Sequence, residues 1–123
     1  MNLTEKLHKI QFEMKAPKNL FNKFGNYSYR NAEGILEAFK PFGEKYKVVL
    51  VLNDEIVNIG DRYYIKATAT LYDVEAENGV FRFSNSAYAR ESFDKKGMDD
   101  SQITGTASSY ARKYALNGLF LLD

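Results

Sequence analysis

Cysteine is absent from this chain, which excludes a disulfide scaffold, a thiol nucleophile and a zinc finger and agrees with a reducing compartment. The single histidine, His8, falls on the polar side of a helical segment and reads as solvated rather than as a ligand or acid-base catalyst. No apolar run approaches the roughly 18 residues of a membrane span, and the charged, periodic N-terminus is unlike a signal peptide. The expected setting is therefore soluble and cytoplasmic, with no membrane partner. Phosphate-cradling and dinucleotide-binding glycine loops are missing, so nucleotide hydrolysis is not expected. Asp99 and Asp100, with Glu91 or Asp94, supply carboxylates for Mg²⁺, but acids at a helix start read as caps. No metal and no cofactor is expected, and without a convergent acid, base and nucleophile the chain reads as a binder, not an enzyme.

What is present fits one domain spanning residues 1–123: 45% hydrophobic, 27% charged, net charge +1. That length buries roughly two thirds of the unfolded surface around one core. Charge is uneven. Residues 1–53 carry nine Lys or Arg against five acids, residues 54–81 two against six, and residues 82–123 six against five, so local basic surfaces exist on a nearly neutral chain.

Leu3, Leu7, Ile10 and Met14 recur at helical spacing, with Asn2 and Glu5 placed as a capping box and Pro17 closing a helix over about 3–15. Phe12 falls opposite that stripe, a stray exposed aromatic or a subunit contact. Lys18 to Arg30 shows neither helical nor strand period and reads as a loop, yet it interleaves Lys18, Lys23 and Arg30 with Phe21, Phe24, Tyr27 and Tyr29. Asn31 caps a second helix with Ile35, Leu36 and Phe39 inward, broken or kinked at Pro41 and Gly43. From Val48 the period becomes that of strands, with a tight turn at Gly60-Asp61. Tyr63, Ile65, Ala67, Ala69 and Leu71 make a core face, and Arg62, Tyr64, Lys66, Thr68, Thr70 and Tyr72 the opposite one. After residues 73–79, Phe81, Phe83, Ala87 and Ala89 alternate with Arg82, Ser84, Ser86, Tyr88 and Arg90.

A two-residue Asn78-Gly79 hairpin would set apolar against polar faces. A longer loop centred near Ala76 is expected instead, pairing Tyr64 with Tyr88, Lys66 with Ser86 and Arg62 with Arg90. Across the earlier turn Glu55 faces Lys66 and partly neutralises it. A last helix over 99–116 is expected to pack Ile103, Ala107, Tyr110, Ala111 and Tyr114 on the sheet. Its other side gathers Ser101, Gly105, Ser108, Ser109 and Arg112, with Lys113 adjacent. Gly105 costs that helix about 1 kcal/mol relative to alanine, and such a face admits a close backbone. The fold class is α+β: an antiparallel three-stranded meander crossed by a C-terminal helix, with one or two N-terminal helices.

Cations beside aromatic rings on a sheet face are how single strands are held without sequence reading. A solvated outer face has the same composition, and periodicity does not separate the two. The element order also fits a double-stranded RNA module, although acids at the start of the last helix oppose it. A small-molecule cup is the third reading.

Residues 96–120, KGMDDSQITGTASSYARKYALNGLF, resemble the signature helix of the ERF (essential recombination function) family of phage single-strand annealing proteins. Residues 27–33 (YSYRNAE), 54–57 (DEIV) and 60–64 (GDRYY) resemble other segments of that family in the same order, so the likeness spans about residues 20–122. It implies ATP-independent binding of single-stranded DNA, pairing of complementary strands in phage recombination, and assembly into homo-oligomeric rings or filaments. A host single-strand binding protein or a phage exonuclease is an implied partner. On this reading Arg30, Arg62, Lys66, Arg82, Arg90, Ser108, Ser109, Arg112 and Lys113 contact DNA, with Lys95 and Lys96 on a basic loop near the groove. Tyr27, Tyr29, Tyr64 and Tyr88 offer stacking surfaces, and Arg112 is the first choice as a phosphate contact. Family members commonly continue beyond the point where this chain stops, so it is expected to be a core fragment or a short form.

Overall fold

Asn2 and Glu5 close the expected capping box, each side chain accepting from the other's backbone N–H at 2.9 and 3.1 Å. Helix α1 (Leu3–Glu13) follows and buries Leu3, Leu7 and Ile10, while Phe12 is exposed. The computed structural model describes residues 1–76, 81–92 and 100–123.

The segment read as a loop contains a short hairpin, β1 (Leu20–Asn22) and β2 (Tyr27–Tyr29), paired antiparallel. Strands of three residues are too short for alternation to show. Helix α2 (Ala32–Tyr46) is capped by Asn31, whose side chain accepts from the Gly34 N–H at 2.9 Å. It does not break at Pro41. That proline and Glu37, whose carbonyl loses its N–H partner, both lie on the exposed side. The helix ends at Lys47 in the left-handed region, φ 57°.

Strands β3 (Val48–Ile59), β4 (Arg62–Asp73) and β5 (Arg82–Arg90) form the antiparallel sheet in the order β3-β4-β5. Gly60, at φ 64°, makes the β3–β4 turn, a conformation that favours glycine. Glu55 sits opposite Lys66 as expected. The β4–β5 register differs from expectation by two residues: Tyr64 faces Arg90, Lys66 faces Tyr88 and Thr68 faces Ser86, so Tyr64 is not beside Tyr88 nor Arg62 beside Arg90. A two-residue slip keeps every side chain on its face, so alternation cannot detect it. Pairwise contacts fit the observed alignment: the Lys66 ammonium lies 5.9 Å from the Tyr88 ring centre, and the Thr68 and Ser86 hydroxyls hydrogen-bond at 2.8 Å. The Asn78-Gly79 turn candidate lies outside the described residues.

Helix α3 (Asp100–Phe120) crosses the core face of the sheet. Its buried seam is Ile103, Ala107, Ala111 and Ala115, and β4 meets it with Ala67 and Ala69, which share one core with the three alanines of the helix. Tyr110 and Tyr114, expected in that core, are about half exposed. Alanine facing alanine brings helix and sheet too close for a tyrosine between them, so the rings sit on the flank. Tyr63, at the strand end, is also exposed. The helix runs four residues past its expected end because Leu119 and Phe120 are buried, with the Phe120 ring 5.3 Å from that of Phe39 on α2.

α1 is fastened by a buried cation. Lys6, 2% exposed, reaches Asp73 at 2.7 Å and Glu75 at 2.6 Å. Burial pulls its pKa down, but the hydrogen bonds to both acids outweigh that and leave it raised. The same bond holds the Asp73 carboxyl below its ordinary value.

Candidate nucleic-acid interface

The hairpin and the start of α2 stand beside the solvent-facing side of α3 and leave a groove of about 510 Å³ between them. Tyr29, Arg30 and Asn31 line one wall, and Gly105, Thr106, Ser109, Tyr110 and Lys113 the other. A side chain added at Gly105 would meet nothing within 4 Å, so the groove floor is open to a closely approaching chain. Arg30 is pre-positioned: its Nε donates to the Ala16 carbonyl at 2.8 Å, and its two Nη atoms bond the Asp123 carbonyl and, at 2.8 Å, the Asp123 carboxylate.

Opposite it, the Lys113 ammonium lies 5.1 and 4.9 Å from the ring centres of Tyr110 and Tyr114, which stack on each other at 6.5 Å and 20°. Among the described residues Lys113 forms no ion pair. Burial lowers its pKa, and the nearby positive charges of Arg30 and Lys18 lower it further. A lysine whose charge is disfavoured by burial and like charges gains when an anion arrives. The groove is thus electropositive, walled by aromatic rings, and suited to a phosphate chain with bases.

A second concavity of about 290 Å³ adjoins the first and shares Thr106 and Tyr110 with it. It is lined by Tyr88, Arg90 and Ser92 at the β5 edge, together with Tyr114. Of the residues singled out in the sequence, Tyr29, Arg30, Ser109 and Lys113 therefore share one track along α3, while Tyr88 and Arg90 border the adjoining concavity at the sheet edge and stand opposite Lys66 and Tyr64 on the outer face. Tyr27 stands next to it on the hairpin, its ring 6.0 Å from that of Tyr29.

The other candidates do not join this track. On the other side of α3, Asp54 of β3 accepts from Ser108 Oγ at 2.5 Å and Arg112 Nε at 3.1 Å. Those two side chains tie α3 to β3. Arg62, Tyr64, Lys66 and Arg82 lie on the opposite, outer face of the sheet, where the Arg62 guanidinium donates to the Glu91 carbonyl at 3.3 Å. Lys95 and Lys96 lie outside the described residues. Glu91, weighed as a metal ligand, accepts from the Thr104 hydroxyl; among the described residues no cluster of His, Asp or Glu has the makings of a metal site. No described helix is long and apolar enough to cross a membrane. Sequence reasoning missed Tyr110, Tyr114 and Asp54. The signal for the tyrosines was Lys113 between them, a cation out of place beside a core-facing pair.

A cationic, tyrosine-walled groove thus lies over a helix that crosses an antiparallel sheet. The chain belongs to the ERF superfamily, whose family model matches residues 3–123. It is 54% identical over 118 residues to the Essential recombination function protein of Salmonella phage P22, an alignment covering 96% of this chain and 54% of that protein. The chain thus spans about half the length of the curated relative it matches. No solved structure matches it.

Proposed function

We propose that this chain binds single-stranded DNA along the α3 groove and promotes pairing of complementary strands without ATP, in phage recombination and as a homo-oligomer. The observation that carries the reading is Lys113, without an ion pair among the described residues, held between two tyrosines and facing Arg30 across an open floor. Family membership and the relative's name support the recombination role. Within the groove Lys113 contacts phosphates, Arg30, paired with Asp123, adds its charge from the facing wall, and Tyr29 and Tyr110 meet bases or sugars. Arg112, taken up by Asp54, is no longer the first choice. The test is anisotropy of a labelled oligonucleotide against a duplex of the same sequence over a salt series. The single strand is preferred, and its affinity falls by roughly 0.7 logarithmic units per phosphate contact per decade of salt. Lys113→Ala weakens binding more than Arg112→Ala. Equal binding to duplex, or binding insensitive to salt, contradicts the proposal.

A further inference from the structure

The hairpin presents a feature that the groove itself does not use. Phe24, in its turn, is fully exposed, and yet the turn around it is firmly built. Asn22 Oδ1 accepts from the backbone N–H of Phe24 at 2.9 Å and of Gly25 at 3.0 Å, and Asn22 Nδ2 donates to the Tyr27 hydroxyl at 3.1 Å. Tyr27 folds over Gly25 so closely that a Cβ there would sit 2.2 Å from its ring. Asn26 completes the turn in the left-handed region at φ 53°, which asparagine tolerates. A large ring held out in water by a fixed turn contributes nothing to folding and gains only when something covers it.

Charge points to what covers it. Between Glu13 and Glu33 the chain carries Lys15, Lys18, Lys23 and Arg30 and no acid; Arg30 is paired with Asp123, and the three lysines leave the segment leading to the tip with a net positive charge that suits a polyanion. The hairpin is also continuous with the groove, since Tyr29 at the end of β2 lines it.

We infer that Phe24 is a stacking platform for an unpaired base of a strand that runs from the groove over the hairpin, with Lys23 beside it on the backbone phosphates. The inference rests on the single-strand reading above and adds a contact that discriminates unpaired from paired bases, because a base already stacked in a duplex has no free face to offer.

The native chain has no tryptophan, so Phe24→Trp installs a unique reporter at a site whose ring touches nothing in the fold. Labelled oligothymidylate is titrated into this variant while anisotropy and tryptophan emission are read together. Emission is expected to be quenched, and shielded from acrylamide, in step with binding. Phe24→Ala is expected to bind roughly five- to hundredfold more weakly with an unchanged melting temperature. Binding that leaves the emission of the introduced tryptophan unaltered overturns the inference and leaves the single-strand reading standing; absence of any anisotropy change overturns both. Equal quenching by a duplex overturns the selectivity. Emission that changes with protein concentration alone makes the tip a subunit contact and also overturns it.

Discussion

Lys113 is the residue on which the groove's chemistry turns. In the free protein its ammonium is disfavoured first by burial and then by the positive charges of Arg30 and Lys18. A phosphate in the groove stabilises the charged form, so the sign is fixed: the Lys113 pKa rises on binding. Side-chain NMR titration with and without saturating oligonucleotide reads this directly, and a pKa that stays put would place the strand elsewhere. Lys113→Ala is further expected to reduce the salt slope by about 0.7, the share of one single-strand phosphate contact. Arg30 differs, since Ala16 and Asp123 already hold its guanidinium, so it contributes a fixed, partly compensated charge where Lys113 has no ion pair among the described residues.

Among the elements, α1 depends on one clamp and α3 on one seam. Lys6→Met leaves the nearly buried Asp73 carboxylate without its cation, at an expected loss of about 3 kcal/mol in denaturant unfolding. The pH dependence follows from the two shifts. Asp73, held below the ordinary 3.8, contributes stability that is present above that value and lost as pH falls through the lower folded one. Lys6, raised above 10.5, contributes stability present below that value and lost as pH rises through the folded one. The variant's unfolding energy is therefore flatter than the parent's at both ends. In the seam, Ala111→Leu forces extra carbon between α3 and Ala67 and Ala69, with an expected cost of about 1–3 kcal/mol; a neutral result would mean that helix and sheet are not closely packed there. Both helix caps, the strand faces and the Gly60 turn were legible because each is a local pattern of a few residues. The hairpin was too short to show a period, and the β4–β5 register was invisible to alternation because a slip of two changes no face. The Arg112–Asp54 pair joins residues 58 apart in sequence, which no local spacing reveals, so Arg112 read as an open cation. Tyr110 and Tyr114 were misplaced because helical periodicity locates an apolar sector only broadly, and it was the small Ala107, Ala111 and Ala115 that set its centre.

For the molecule as a whole, a single strand held along α3 as proposed would meet only a few nucleotides' length of one subunit, and testing complementarity over a useful length would require neighbouring subunits to extend the track. Size measurement by light scattering on long single strands is expected to show assemblies, and a persistent monomer would contradict that. The energy of pairing comes from stacking in the product, about 1.4 kcal/mol per step. On the proposed function the protein would act on rate, by neutralising phosphate repulsion and holding one strand extended with its bases presented. The most direct measurement mixes complementary oligonucleotides with the protein in chelator, without nucleotide, and follows duplex formation against the spontaneous reaction at equal salt. Faster pairing by the parent, diminished in Lys113→Ala, is the predicted result; acceleration that requires ATP or Mg²⁺, or none from a sample that binds the strands, would contradict it.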